Sequence, residues 1–368
     1  MTTATVDAPA DRRGSVIPTV PMITTRFMEL RKRRGLMIAL ATVTVALPTV
    51  FLAVRLLLHA ISPHTYGPAG GYDTFTGLTV GVLYTLGFIV AATLGCTAGS
   101  VDLTEGMFRH LVVTGRSRVA LYLARIPAGL AIIVPLIAIG FSIVCIVCVS
   151  AAPSQLKLNG FSVPAGLSRT QLENYAASHA EKALCGLPSF NINVAVPCNG
   201  QGPGNPVIID RSGPIGPATT AQVRAAAIQV ADQNYTEYKQ QFRVPPSALM
   251  VKTGLWLELE AAIGFLVGLG LGSLIGQRTV AMVLMIVLEI ILTPVALRAQ
   301  IPHLINVQRA VIGIATAHLE PSQLPLVFGG GGHDYRVTET TTTAVIVVVA
   351  WVIGWSILGA WRMRTRDA

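Results

Sequence analysis

Six apolar runs, each about long enough to cross a bilayer, constrain this chain more than any other feature. They are Leu36–Leu58, Thr76–Gly99, Ile126–Ser150, Gly254–Gly276, Val280–Leu297 and Thr342–Trp361. About 20 apolar residues in a helix span roughly 30 Å of hydrocarbon. The runs are continuously apolar, whereas strands of a membrane barrel would alternate. Only 12% of the 368 residues are charged and mean hydropathy is +0.60. A soluble domain of this size carries about twice that share of charge. The first run is too long for a signal-peptide core, and five more follow, so it reads as a retained anchor. The expectation is an all-α polytopic membrane protein.

Basic flanks give the orientation. Arg31, Lys32, Arg33 and Arg34 precede the first run, and Arg362, Arg364 and Arg366 follow the last. The positive-inside rule places both termini in the cytoplasm of a plasma membrane, with a bacterial cell as the expected setting. The net charge of +9 is then partly topological. No groove-reading pattern or aromatic interleaving accompanies it, so nucleic acid is not an expected partner; membrane lipid is.

The chain divides into four parts on this reading. Residues 1–35 are a cytoplasmic lead-in, in which Ile23, Phe27 and Leu30 share one face of an interfacial amphipathic helix. Residues 36–150 hold three spans. Residues 151–253 are an extracytoplasmic domain with helices starting near Ser168 and Thr219, separated by a Pro/Gly/Asn-rich segment of turns and short strands. Its own core is expected to be thin. Residues 254–368 hold three more spans, with a re-entrant pair of short helices near 299–341.

Cys185 and Cys198 share the external block, where an oxidising exterior would allow a disulfide to staple a weak core. Cys96, Cys145 and Cys148 fall within spans and read as packing, with no His or carboxylate set around them for a metal. Gly264, Gly268, Gly272 and Gly276 recur every four residues, a stripe that lets another helix approach closely. Whether that helix belongs to the same chain or a second copy stays open.

Ionisable residues inside spans are costly and face a bundle or cavity. Glu289 lies mid-span and is a candidate for a translocation path or gate, or for a structural hydrogen bond. Glu258 and Glu260, placed toward the outer end of the fourth span, are candidates for the same path or gate. Either they pair with Arg55, or these groups reach the interface.

There is no G-x-x-x-x-G-K-[ST], no H-E-x-x-H and no G-x-S-x-G, so no catalytic residue, metal ligand or cofactor site is expected in this chain. His333 and Asp334 are adjacent in a glycine-rich loop and read as solvated. The remaining feature is VDLTEGMFRHLVVTGRSR (Val101–Arg118), a charged island between apolar walls. Asp102 or Thr104 can cap a short helix, Phe108, Leu111 and Val112 share a face, and Gly115 can end it beside Arg116 and Arg118.

The stretch from Glu105 to Arg118 resembles the loop between the second and third spans of ABC-2-type transporter permeases, and the layout of lead-in helix, six spans and outer dip is similar too. The resemblance covers residues 21–150 and 250–368. It implies the arrangement of type V exporters and a permease subunit powered by a separate ABC ATPase, which would carry ATP and magnesium. A second permease copy or a paralogue would complete the path. The island would be a coupling helix, with Asp102, Glu105, Gly106, Phe108, Arg109, Gly115 and Arg116 serving coupling and Phe108 seated in the ATPase groove. A hydrophobic or amphipathic small molecule, lipid or peptide would be exported. Met107 and the long insertion at 151–253 depart from the family pattern. An ion-coupled secondary transporter using Glu289, and a non-transporting sensor or assembly protein with an external ligand-binding domain, are the alternatives.

Overall fold

The computed structural model describes residues 16–62, 68–104, 117–153, 155–158, 161–186, 193–196, 206–210, 213–298, 301, 303–321, 324, 337 and 339–365. Six helices in it are long and apolar enough to cross a membrane: α2 (Arg34–Ile61), α3 (Tyr72–Asp102), α4 (Arg118–Ser150), α9 (Ser247–Ile275), α10 (Arg278–Ala296) and α13 (Thr341–Thr365). They coincide with the six apolar runs. The largest differences are at two starts, where α4 begins at Arg118 and α9 at Ser247. In both, apolar residues extend the helix ahead of the basic residue nearest the run, Arg125 in α4 and Lys252 in α9.

The chain forms two compact units. One comprises residues 1–48, 77–142 and 247–368, and the other 49–76 and 143–246. The division cuts through helices, so it does not follow the four-part reading of the sequence.

In the first unit α1 (Val20–Lys32) precedes α2, with Pro21 in its first turn, where a missing N–H costs nothing. The expected apolar face is only partly right. Met22, Arg26 and Leu30 are the buried positions of α1, while Ile23 and Phe27 are half-buried. Met22 packs on Ala120, Leu121 and Ala124 of α4. The lead-in therefore buries a face, arginine included, against protein.

The tightest packing in the unit joins α3 and α9. A Cβ at Gly264 would lie 2.9 Å from the Phe88 carbonyl oxygen, at Gly268 2.5 Å from that of Ala92, and at Gly272 2.5 Å from that of Cys96. The facing residues are themselves four apart, so two ridges run past each other at backbone distance. Gly95 and Gly99 of α3 meet the α9 backbone in the same way. The glycine stripe thus packs within this chain. Gly276 departs from the expectation: it lies beyond the end of α9 with φ +74°, a left-handed helix stop. On another side of α9, Gly270 admits the Trp355 backbone of α13.

Three of the long helices contain a π-helical stretch: Thr42–Ala46 in α2, Thr79–Tyr84 in α3 and Val287–Leu292 in α10. In two of them a threonine one position beyond the stretch donates to a carbonyl five residues back, Thr85 to Val80 at 3.4 Å and Thr293 to Leu288 at 3.0 Å. The hydroxyl serves a carbonyl that the widened turn leaves poorly served.

Between α10 and α13 lie the short helices α11 (Ile305–Arg309) and α12 (Ile312–His318), the pair expected for the re-entrant region. Residues 312–317 are all buried. Exposed backbone at such a place needs partners. Trp351 donates to the Ala310 carbonyl at 2.7 Å, Trp256 to that of Thr316 at 3.3 Å, and the Gln308 amide ties α11 to the Ala296 carbonyl at 3.1 Å. His333 and Asp334 lie outside the described residues.

The second unit is not purely helical. A β1–β2 hairpin (Gln155–Leu158, Phe161–Pro164) and a three-stranded antiparallel sheet, β3 (Val194–Ala195), β4 (Val207–Asp210) and β5 (Gly213–Pro217), accompany α5 (Arg169–Ser178), α6 (Ala180–Gly186), α7 (Thr220–Gln233) and α8 (Tyr235–Gln241). Both expected helix starts are capping boxes, Ser168 with Gln171 and Thr219 with Gln222. The core of this unit is small and rich in alanine. Val163, Leu172, Ala176, Ala183, Val223, Ala227, Val230 and Tyr238 are among its buried residues, and alanines on α5 and α7 let those helices pack closely. The Tyr238 hydroxyl donates to the Pro164 carbonyl at 2.6 Å and accepts from the Leu167 N–H at 3.0 Å. Cys185 is disulfide-bonded; Cys198 lies outside the described residues. Cys96, Cys145 and Cys148 are free.

In the same unit Arg55 donates to the Pro68 carbonyl at 2.6 Å and faces the Thr74 hydroxyl at 3.5 Å. Its guanidinium therefore ties the end of α2 to the connection that follows it.

Candidate functional sites

Two buried polar clusters stand out in the first unit, and both lie on α3. The first is at its carboxyl end. Asp102 is in the last turn of α3, 1% exposed. Arg26 of α1 reaches it with both terminal nitrogens, Nη1 to Oδ1 at 2.9 Å and Nη2 to Oδ2 at 2.7 Å. Arg125 of α4 binds the same Oδ2 and also donates to the Gly99 carbonyl at 3.1 Å. Arg26 Nη1 also donates to Glu29 Oε2 at 2.6 Å. Two guanidiniums and two carboxylates balance, and the planar forks match carboxylate geometry. Burial alone would lower the Arg26 pKa, but Asp102 and Glu29 outweigh it and hold it above the usual arginine value.

Asp102 is therefore not free to cap a following helix. It ties α1, α3 and α4 together where the chain leaves α3 and re-enters α4. Arg118 at the start of α4 donates to the Arg364 carbonyl of α13 at 3.2 Å. Of the other residues assigned to coupling, Glu105, Gly106, Phe108, Arg109, Gly115 and Arg116 lie outside the described residues.

The second cluster lies deep in the spans. Glu289 is 11 residues from the start of α10, about 16 Å along its axis, and 1% exposed. Glu260 is 13 residues into α9 and 2% exposed. Its expected place near a helix end is corrected by the start of α9 at Ser247. Glu258 is half-buried on α9 and is not part of the cluster. Glu260 and Glu289 are close enough for their charges to couple, and Glu320 adds to the same negative field.

Tyr84 of α3 completes the cluster. Its hydroxyl faces Glu289 Oε1 at 3.4 Å, and its ring stacks on Trp256 with centroids 4.7 Å apart and planes 4° from parallel. Tyr84 and Glu289 both sit in π-helical stretches, a backbone feature that recurs at functional sites. Gly313 brings the α12 backbone against the same group: a Cβ there would meet Thr293 and lie 2.9 Å from Glu289 Oε2.

The hydrogen bonding is incomplete. Both oxygens of Glu260 and Oε2 of Glu289 are buried without a donor. The Thr316 and Thr293 hydroxyls lie beside them, but Thr316 donates to the Gly313 carbonyl and Thr293 to that of Leu288. Among the described residues neither Glu260 nor Glu289 has an ion-pair partner, and no group of three or more His, Cys, Asp or Glu is arranged to hold a metal.

Sequence reasoning identified Glu289 and Glu260 but missed Tyr84, Trp256 and Gly313. The available signal was the threonine immediately after Tyr84 and another four residues after Glu289, each serving a widened turn. No family model, no curated protein and no solved structure matches this chain.

Proposed function

We propose that this protein is the membrane-spanning permease subunit of an ATP-driven transporter, with hydrolysis on a separate ATPase. The observation that carries the reading is the Arg26–Asp102–Arg125 node. A partner pressing on residues 105–116 would push on a segment whose two ends are bonded into α1, α3 and α4. With Arg118 bonded to the end of α13, such a push reaches four helices as one body. A surface turn that served topology alone would need no buried ionic lock. The six helices of spanning length and the short buried α11–α12 pair agree with the reading, as does the resemblance of Glu105–Arg118 to permease coupling loops. On this reading the segment is cytoplasmic.

The test is co-purification from native membranes in mild detergent. Wild type should bring down an ATPase subunit. Phe108→Ala and the Glu105→Ala/Arg109→Ala double variant should lose it while remaining in the membrane. Failure of wild type to retain any ATPase would overturn the proposal.

A second reading, an ion-coupled secondary transporter, draws on the buried Glu260–Glu289 pair. It requires flux that follows an ion gradient and persists without ATP in proteoliposomes.

A further inference from the structure

The Glu260–Glu289 cluster has an electrostatic demand that the described chain does not meet. Two carboxylates share one buried space, three of their four oxygens have no donor, and Glu320 adds to the negative field. A buried carboxylate without a partner costs several kcal/mol, so such a group either holds a proton or is met by something positive. The neighbouring Thr293 and Thr316 hydroxyls are shared between backbone carbonyls and the acids, and they bring no positive charge. Two carboxylates and a phenol are few donors for a bare calcium ion, which takes six to eight oxygens. The stacked Tyr84–Trp256 pair instead suits an ammonium group on an apolar body, since aromatic rings attract cations and cover apolar surface.

We infer that Glu260, Glu289, Tyr84 and Trp256 form a binding site for an organic cation, an amine carried on an aromatic or aliphatic body. The carboxylates take the ammonium and the rings take the body. Helix α12 covers the site, since Gly313 brings its backbone against Glu289, so the ligand enters when α12 moves away. As a statement about cargo this rests on the transport reading; as a statement about binding it does not.

The experiment measures binding alone. The full chain is placed in nanodiscs of neutral phosphatidylcholine and titrated at pH 7.5 with 1-naphthylmethylamine, with the uncharged 1-naphthalenemethanol as a control of the same shape. Saturable amine binding is expected, at least tenfold weaker in Glu260→Gln, in Glu289→Gln and in the double variant, with the alcohol weak throughout. The amine should raise the melting temperature of wild type and leave that of the Gln variants unchanged, which separates lost binding from lost folding. If the double variant does not fold, either single variant carries the test. No saturable amine binding, equal binding by the Gln variants, or equal binding of the alcohol would each overturn the inference; the first is the result expected if the acids simply hold protons. A failed ATPase co-purification would remove the permease reading and leave this result standing.

Discussion

The two polar clusters on α3 are buried to the same degree and treated in opposite ways. At the Asp102 end, charge is balanced and the carboxylate is held by two guanidinium forks. At the Tyr84 end, two acids are gathered with no cation beside them among the described residues, and three of their oxygens are left without donors. Balanced burial fixes helices in place and asks for nothing further. Unbalanced burial in the same unit marks where something outside the chain is expected. The contrast separates a joint from a site without appeal to any relative.

The strongest way to break the comparison is to unbalance the joint. Asp102→Ala leaves Arg26 and Arg125 buried without their shared partner. Removing one member of a buried pair costs about 3–5 kcal/mol, so this variant should show the largest fall in melting temperature in nanodiscs, or fail to accumulate. Substitution at the other cluster should act differently. Glu260→Gln and Glu289→Gln each replace a buried, incompletely bonded carboxyl at nearly constant shape, and each should leave thermal stability unchanged or raise it by up to about 1 kcal/mol. A fall as large as that of Asp102→Ala would show that the acids are structural after all.

The frame that carries both clusters gives a third test. Gly268→Ala puts a methyl group against the Ala92 carbonyl, and overpacking of this kind costs about 1–3 kcal/mol. It should destabilise the bundle and leave the second unit unchanged in hydrogen exchange.

The smallest effect belongs to an exposed pair in the second unit. The Arg169 guanidinium bonds Asp232 and holds its carboxyl below the usual carboxylate range. The sign follows from a depressed acid. Any contribution is complete above the unfolded carboxylate pKa and is lost as pH falls through the lower folded value. Arg169→Ala should therefore change the melting temperature slightly at neutral pH, and the difference from wild type should vanish in acid.

Much of this was legible in the sequence, for reasons that differ by element. The six spans are visible because a bilayer demands uninterrupted apolar length, and the α5 and α7 starts because Ser168/Gln171 and Thr219/Gln222 are local signals. The glycine stripe on α9 was legible. Its counterpart on α3, where Gly95 and Gly99 stand four apart beside Ala92 and Cys96, is shorter and mixed in composition, and was not singled out. Asp102 was read as a cap because its real partner, Arg26, is 76 positions away. Glu260 was set near a helix end because the polar stretch before Gly254, with Lys252, looks like loop; α9 in fact begins at Ser247. Tyr84 looked like one more apolar residue because only a widened turn and a distant glutamate give it a role.

Those widened turns have a mechanical consequence. A π-helical turn stores one residue beyond what an α-helical turn holds. If the stretch at Thr79–Tyr84 were drawn out to regular α-helix, the parts of α3 on its two sides would rotate relative to each other by about 100°, the angle one residue subtends. Tyr84 and Glu289 touch across two such reserves, in α3 and in α10. The two helices can therefore turn like screws against each other at this point, each with slack already wound in, while the ionic lock at Asp102 holds the far end of α3 still.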